Sequence, residues 1–247
     1  MRERTEMTLV APVLVTVEAV DAALHTVVDP ELDEPITDLG FVRSRVVDGR
    51  DVEVHLRLPT SFCAPNFAYL MAADAQDALL QLPGVGRVVV CLDDHHDSDK
   101  INEGLAAQAG YTGTFGHEAE SGLDHLRRTF QRKAHTAALE RACSELLRSG
   151  AVTVDRLHEL TLGDIPAGRS KHALLRRRAD IGLGVGPHEK AFVDDEGRPI
   201  PQEQVPVRLR FARTVRISID GNAHFCRGLL TTRYPGSESD QRPRSTD

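Results

Sequence analysis

One thiol and two carboxylates have the neighbours that chemistry would need. Cys63 stands in Leu58-Pro59-Thr60-Ser61-Phe62-Cys63-Ala64-Pro65-Asn66. Pro65 suits the first turn of a helix, so this spacing puts Cys63 at a helix N-terminus. Free N–H groups and the helix dipole favour negative charge there, and the thiolate is the form that binds metal or attacks sulfur. Thr60 and Ser61 can cap the same helix end or donate to the sulfur. Asp29 and Glu31 stand in Val27-Val28-Asp29-Pro30-Glu31-Leu32, an acidic turn. Beside a thiolate these carboxylates repel it, so the set makes chemical sense with a cation between them. Without that chemistry, the same residues are a helix-capping thiol and a solvated turn.

Other donors are less organised. Asp93-Asp94-His95-His96-Asp97 holds the atoms iron or zinc would accept, with His95 and His96 as candidate ligands, but it also has the composition of a solvated loop. His224 and Cys226, two apart on an expected strand, share a face and could be two ligands of a site completed elsewhere. Cys91 and Cys143 read as packed thiols. The four cysteines lack the paired spacing of a zinc knuckle.

These residues need elements to position them. Val13, Val17, Val20, Leu24 and Val27 repeat at helical spacing, in a helix expected to end at Asp29 before Pro30. Phe41–Val47 and Asp51–Leu58 form a hairpin at Asp48-Gly49, with Glu53, His55 and Arg57 on a wet face. A second helix carries Phe67, Leu70, Met71, Ala78 and Leu82 and stops at Pro83-Gly84. Arg87–Leu92 is a β-branched strand. The fold class is α/β (α+β): a small N-terminal helix-strand-strand-helix-strand domain, then a mostly helical region ending in a β-hairpin. The hairpin is Val205–Phe211 and Thr214–Ile219, then Ala223–Thr232 after the Asp220-Gly221 turn. Four parts are expected: 1–95, the α/β domain; 96–120, a linker with a short helix; 121–234, the helical and hairpin domain; 235–247, a disordered tail. A Gly182, Gly184, Gly186 run has no preceding strand and fails as a nucleotide loop.

The chain has 247 residues and a formal net charge of -7. That acidity disfavours a nucleic-acid binder, which needs excess Lys and Arg. No apolar run approaches a membrane span or a signal peptide, so a soluble protein of a reducing cytoplasm with free thiols is the expectation.

The first helix, Asp29-Pro30-Glu31, Asp38-Leu39-Gly40, the strand into Thr60-Ser61-Phe62-Cys63 and the Val85–Leu92 strand together resemble the SufT/PaaD-type iron–sulfur cluster assembly domain, over roughly residues 12–95. The resemblance implies a role in maturing iron–sulfur proteins rather than substrate turnover. It places the family's reactive cysteine at Cys63 and its acidic turn at Asp29 and Glu31. Short members often follow the last strand with a Trp-containing Asp-Pro segment, whereas Asp93–Asp97 stands here.

The leading reading is a non-enzymatic assembly factor that delivers iron, sulfide or a cluster to a client apo-metalloprotein through Cys63. A cluster takes about four ligands, so iron or an iron–sulfur cluster would be held transiently or shared between subunits, and self-association is expected. One alternative is an iron-handling maturation factor for a non-haem iron oxygenase. Two others belong to different classes: an enzyme with Cys63 as nucleophile and His55 as base, and a helical DNA-binding regulator.

Overall fold

The computed structural model describes residues 14–119 and 123–242. Helix α1 (Val17–His25) begins where the Thr16 hydroxyl accepts a hydrogen bond from the Ala19 N–H at 3.2 Å. It stops at His25 rather than running on to Asp29. Thr26 closes it, and Val28–Asp29 (β1) instead pairs antiparallel with Glu34–Pro35 (β2). The acidic bend is therefore a two-rung ladder. Val13 lies outside the described residues.

The expected hairpin is present as β3 (Val42–Asp48) and β4 (Asp51–Arg57), with Gly49 at φ 62°. Only glycine adopts that angle without strain. Helix α2 (Pro65–Leu80) crosses over to β5 (Val88–Asp93), which pairs parallel with β4. The sheet order is β3-β4-β5. Alternation in β4 sends Val52, Val54 and Leu56 inward against α2, whose Ala68, Ala72, Ala75 and Leu79 are buried. The span expected as a linker folds onto this core. Helices α3 (Ser98–Ala106) and α4 (Gly110–Phe115) bury Ile101, Leu105 and Phe115 in it.

A second core forms from α5 (Leu123–Arg148), α6 (Arg169–Asp180) and α7 (Val205–Arg233) around Leu139, Ala142, Cys143, Leu157, Leu174 and Phe192. The expected C-terminal β-hairpin is absent. One continuous 29-residue helix, α7, occupies the whole span. Its buried residues Val205, Ala212, Ile219, Ala223 and Leu230 follow steps of seven, seven, four and seven, which is a helical stripe. The apolar alternation of Val205, Val207, Leu209 and Phe211 imitates a strand. Gly221 is no turn: it lies inside α7 and is not among the glycines with positive φ. Val205 lies in the second core, while Ala223 and Leu230 lie in the first. One helix thus ties the two cores together.

Part of the expected tail is ordered. A 3₁₀ turn at Ser237–Asp240 follows α7, and Arg242 N–H donates to the Asp38 carbonyl at 2.8 Å. Residues 243–247 of that expected tail lie outside the described residues.

Candidate functional site

Cys63 stands two positions before α2, with Ala64 between them as the N-cap residue. Thr60 and Ser61 do not cap the helix, since Ala64 makes no side-chain cap bond. Thr60 does reach the sulfur. Its hydroxyl lies 3.4 Å from Cys63 Sγ and accepts from the Phe62 N–H at 3.3 Å, so its own hydrogen is free for the sulfur. Ser61 contributes through its backbone, where its carbonyl accepts from the His96 N–H at 2.9 Å.

The segment after β5 braces this loop. His95 is 6% exposed and sits between two backbone groups. Its Nε2–H donates to the Cys63 carbonyl at 2.8 Å, and its Nδ1 accepts from the Asp97 N–H at 3.1 Å. Both ring nitrogens are therefore occupied, and the expectation of His95 as a metal ligand gives way to a structural role. The His96 ring lies 6.1 Å from that of Phe62, which is 80% exposed. Asp93–Asp97 is thus the wall against which the cysteine loop is pinned, not an open acidic loop.

The acidic bend is organised by Asp29. Its buried Oδ1 accepts from the Glu31 N–H at 2.9 Å and the Leu32 N–H at 2.8 Å. Burial pushes its carboxyl up to about 7, against the lowering effect of those two bonds. The other carboxylates of the bend face side chains of the helical region. Asn222 donates to Glu31 at 3.2 Å. Arg227 donates from both guanidinium ends to Glu34, at 3.2 and 2.5 Å. Arg177, itself buried, pairs with Asp33. The cation that the acidic turn calls for is supplied by arginines of α6 and α7.

Gly40 completes the seat. At φ 77° it occupies backbone space that suits glycine, and a Cβ would come within 3.0 Å of Gln241 and 3.2 Å of Leu230. Asp38-Leu39-Gly40 is therefore the landing for α7 and the turn after it. Arg57 adds a strut, donating to the Gly40 carbonyl at 3.1 Å and to Asp240 at 2.5 Å.

His224 and Cys226 do not form the pair expected of a strand. Two residues apart on a helix they point about 200° apart, with His224 exposed and Cys226 half-buried. Cys226 instead turns toward the first core. Burial pushes its thiol up to about 12, and Asp29, Cys63 and Glu31 add to that, so it stands in their electrostatic field. This proximity across 163 residues has no local sequence signal. Among the described residues, no three His, Cys, Asp or Glu side chains stand together as a metal site.

His55 cannot act as base for Cys63. Its Nδ1 faces Asp93 at 2.8 Å and its Nε2 faces Glu53 at 3.0 Å. These two hydrogen bonds, Asp93 first, hold its pKa above the usual histidine value. Cys143 is buried, and burial pushes its thiol up to about 12, as a packed thiol requires. Cys91 is half-buried on β5, opposite His55 in register.

The family profile described as iron-sulfur cluster assembly protein matches residues 17–90, which hold the bend, β3, β4, α2 and Cys63 and end within β5. An uncharacterized protein of Methanocaldococcus jannaschii is 37% identical over 93 residues, covering 37% of this chain and 96% of that relative. The chain belongs to the iron–sulfur cluster assembly protein family. No solved structure matches it. Membership supports a general role in iron–sulfur assembly, as a maturation factor rather than a catalyst. In this iron–sulfur assembly protein the profile ends at residue 90, so α3 to α7 lie outside the match. No helix among the described residues is long and apolar enough to cross a membrane.

Proposed function

We propose that this protein matures a client apo-metalloprotein by carrying iron or an iron–sulfur cluster on Cys63. The observation that carries the reading is the presentation of Cys63. It is a free, half-exposed thiol at the start of α2, inside the family-matched segment, with its loop braced by Thr60 and His95. A sulfur so placed meets a partner without a pocket closing over it. Phe62 beside it supplies an apolar contact for the client, since an exposed large side chain at a site is of the kind a partner covers. Asp29 and Glu31 hold the bend rather than the cargo. Their oxygens are taken up within the chain, Asp29 by the Glu31 and Leu32 N–H groups and Glu31 by Asn222, and one thiol leaves the remaining ligand positions to the client or to a second copy. The nucleophile reading lacks a base, because both nitrogens of His55 are held by carboxylates.

The test is cluster transfer. The full chain is loaded anaerobically with ferrous iron and sulfide and mixed with an apo-ferredoxin acceptor, and the acceptor's visible spectrum is followed. Transfer by the unaltered chain should exceed that of Cys63→Ala at least tenfold, with Cys91→Ala unaffected. Equal rates for the unaltered chain and Cys63→Ala would remove Cys63 from the function.

A further inference from the structure

The C-terminal helix delivers a second sulfur to the Cys63 region, and nothing in the family-matched segment accounts for it. Three contacts fix where α7 lies: Asn222 on Glu31 at 3.2 Å, Arg227 on Glu34 at 2.5 Å, and Arg233 on the Leu58 carbonyl at 3.1 Å. At about 1.5 Å rise per residue, Cys226 lies roughly 6 Å along the axis from Asn222 and about 10 Å from Arg233. It is therefore held between the acidic bend and the strand end that leads into Cys63. Cys63 and Cys226 both pack against the first core, and neither is in a disulfide. Leu230, one turn further on and fully buried against Gly40, locks the helix rotation that turns Cys226 inward. A solvent-facing position such as Phe225 or Leu229 would not need such a lock.

We propose that Cys226 is the second thiol of the Cys63 site, so that this chain offers two sulfur ligands to a thiophilic metal cargo. The inference rests on the maturation reading above and deepens it. Each thiol gives up its proton to solvent as its sulfur donates a lone pair to the metal, and no electron changes hands. Since no third donor converges with the pair among the described residues, the remaining ligands come from the receiving protein. Two sulfurs hold the cargo while leaving it transferable, whereas four from one chain would retain it. The helical region thereby becomes part of the cargo site as well as a lid on the acidic bend.

Phenylarsine oxide is a suitable probe. Its arsenic forms two As–S bonds and releases its oxygen as water only where two thiols stand together. The full chain should take up one equivalent, retained against excess monothiol and released by a dithiol. Peptide mapping of the unaltered protein should find both Cys63 and Cys226 in the adduct, which needs no variant to fold. Cys63→Ser and Cys226→Ser should each abolish it, and the double variant Cys91→Ser/Cys143→Ser should keep it. Cobalt(II) added anaerobically should bind about tenfold or more weakly to Cys226→Ala, because losing a ligand costs no less than losing its support. An adduct that persists in Cys226→Ser, or maps to other cysteines, overturns the inference. If Cys63→Ala abolishes cluster transfer while Cys226→Ala leaves both the arsenical and cobalt results unchanged, the maturation reading stands and this inference falls. If neither variant alters transfer, the maturation reading falls as well.

Discussion

The two cores meet water and charge in opposite ways. The first, around the β3-β4-β5 sheet, carries the thiol and the acidic bend but answers little of that bend's charge itself. The second, built by α5, α6 and α7, carries one buried and one half-buried arginine whose partners lie across the interface. Arg177 and Arg227 reach Asp33 and Glu34, which precede them by more than 140 residues. Each region thus holds one half of an ion pair that burial would make costly alone. The lesson is that the acidic turn serves the docking of the helical region in this chain.

Breaking that latch should have the largest effect. Arg227→Ala takes the guanidinium from a carboxylate with 6% side-chain exposure, and loss of one partner from a buried pair costs roughly 3–5 kcal/mol. Arg198→Ala, from an arginine 74% exposed and paired with Asp194, should change stability far less, because solvent screens an exposed pair. Denaturant unfolding of the two variants gives the contrast. Equal losses would mean that the interface is not held by charge.

Asp29 sharpens the comparison by pH. Its folded carboxyl titrates at about 7, above the 3.8 of an ordinary aspartate. The folded state therefore binds the extra proton. Its contribution to stability is complete below about pH 4 and is lost as pH rises through 7. Asp29→Asn keeps an oxygen for the Glu31 and Leu32 N–H groups and removes the charge. The variant should gain on the unaltered chain between pH 4 and 7, by at most about 4 kcal/mol. Parallel stability curves for the two proteins would contradict the buried charge.

Gly40→Ala probes the seat. A left-handed angle costs a non-glycine residue about 1–2 kcal/mol, and the new methyl would crowd Leu230 and Gln241. Thermal unfolding should shift downward, and hydrogen exchange should rise selectively in the second half of α7. Gly49→Ala, at φ 62° with nothing near its Cβ, should show the backbone cost without the α7 response.

The first region was legible because its signals are local. Asp48-Gly49 dictates a hairpin, Pro65 opens α2, and the β-branched run to Leu92 makes β5. Helix α7 is hidden in the sequence because Val205 to Phe211 alternate like a strand and Asp220-Gly221 resembles a turn. The steps of seven and four from Val205 to Leu230 carry the helical period, but they emerge only when all 29 residues are taken together. Arg177 and Arg227 look like solvated surface because their acidic partners lie far away in sequence. Within the candidate site, Cys63, Thr60 and Asp29 could be found from neighbouring residues. His95 as a brace and Cys226 beside the bend depend on tertiary contacts that no local pattern encodes.

Iron and acid-labile sulfide per chain, measured on full-length protein isolated without oxygen, test the role of Cys63 most directly. The unaltered chain and Cys91→Ala should carry both in similar amounts, and Cys63→Ala should carry neither above background. Undiminished iron and sulfide in folded Cys63→Ala would contradict the account.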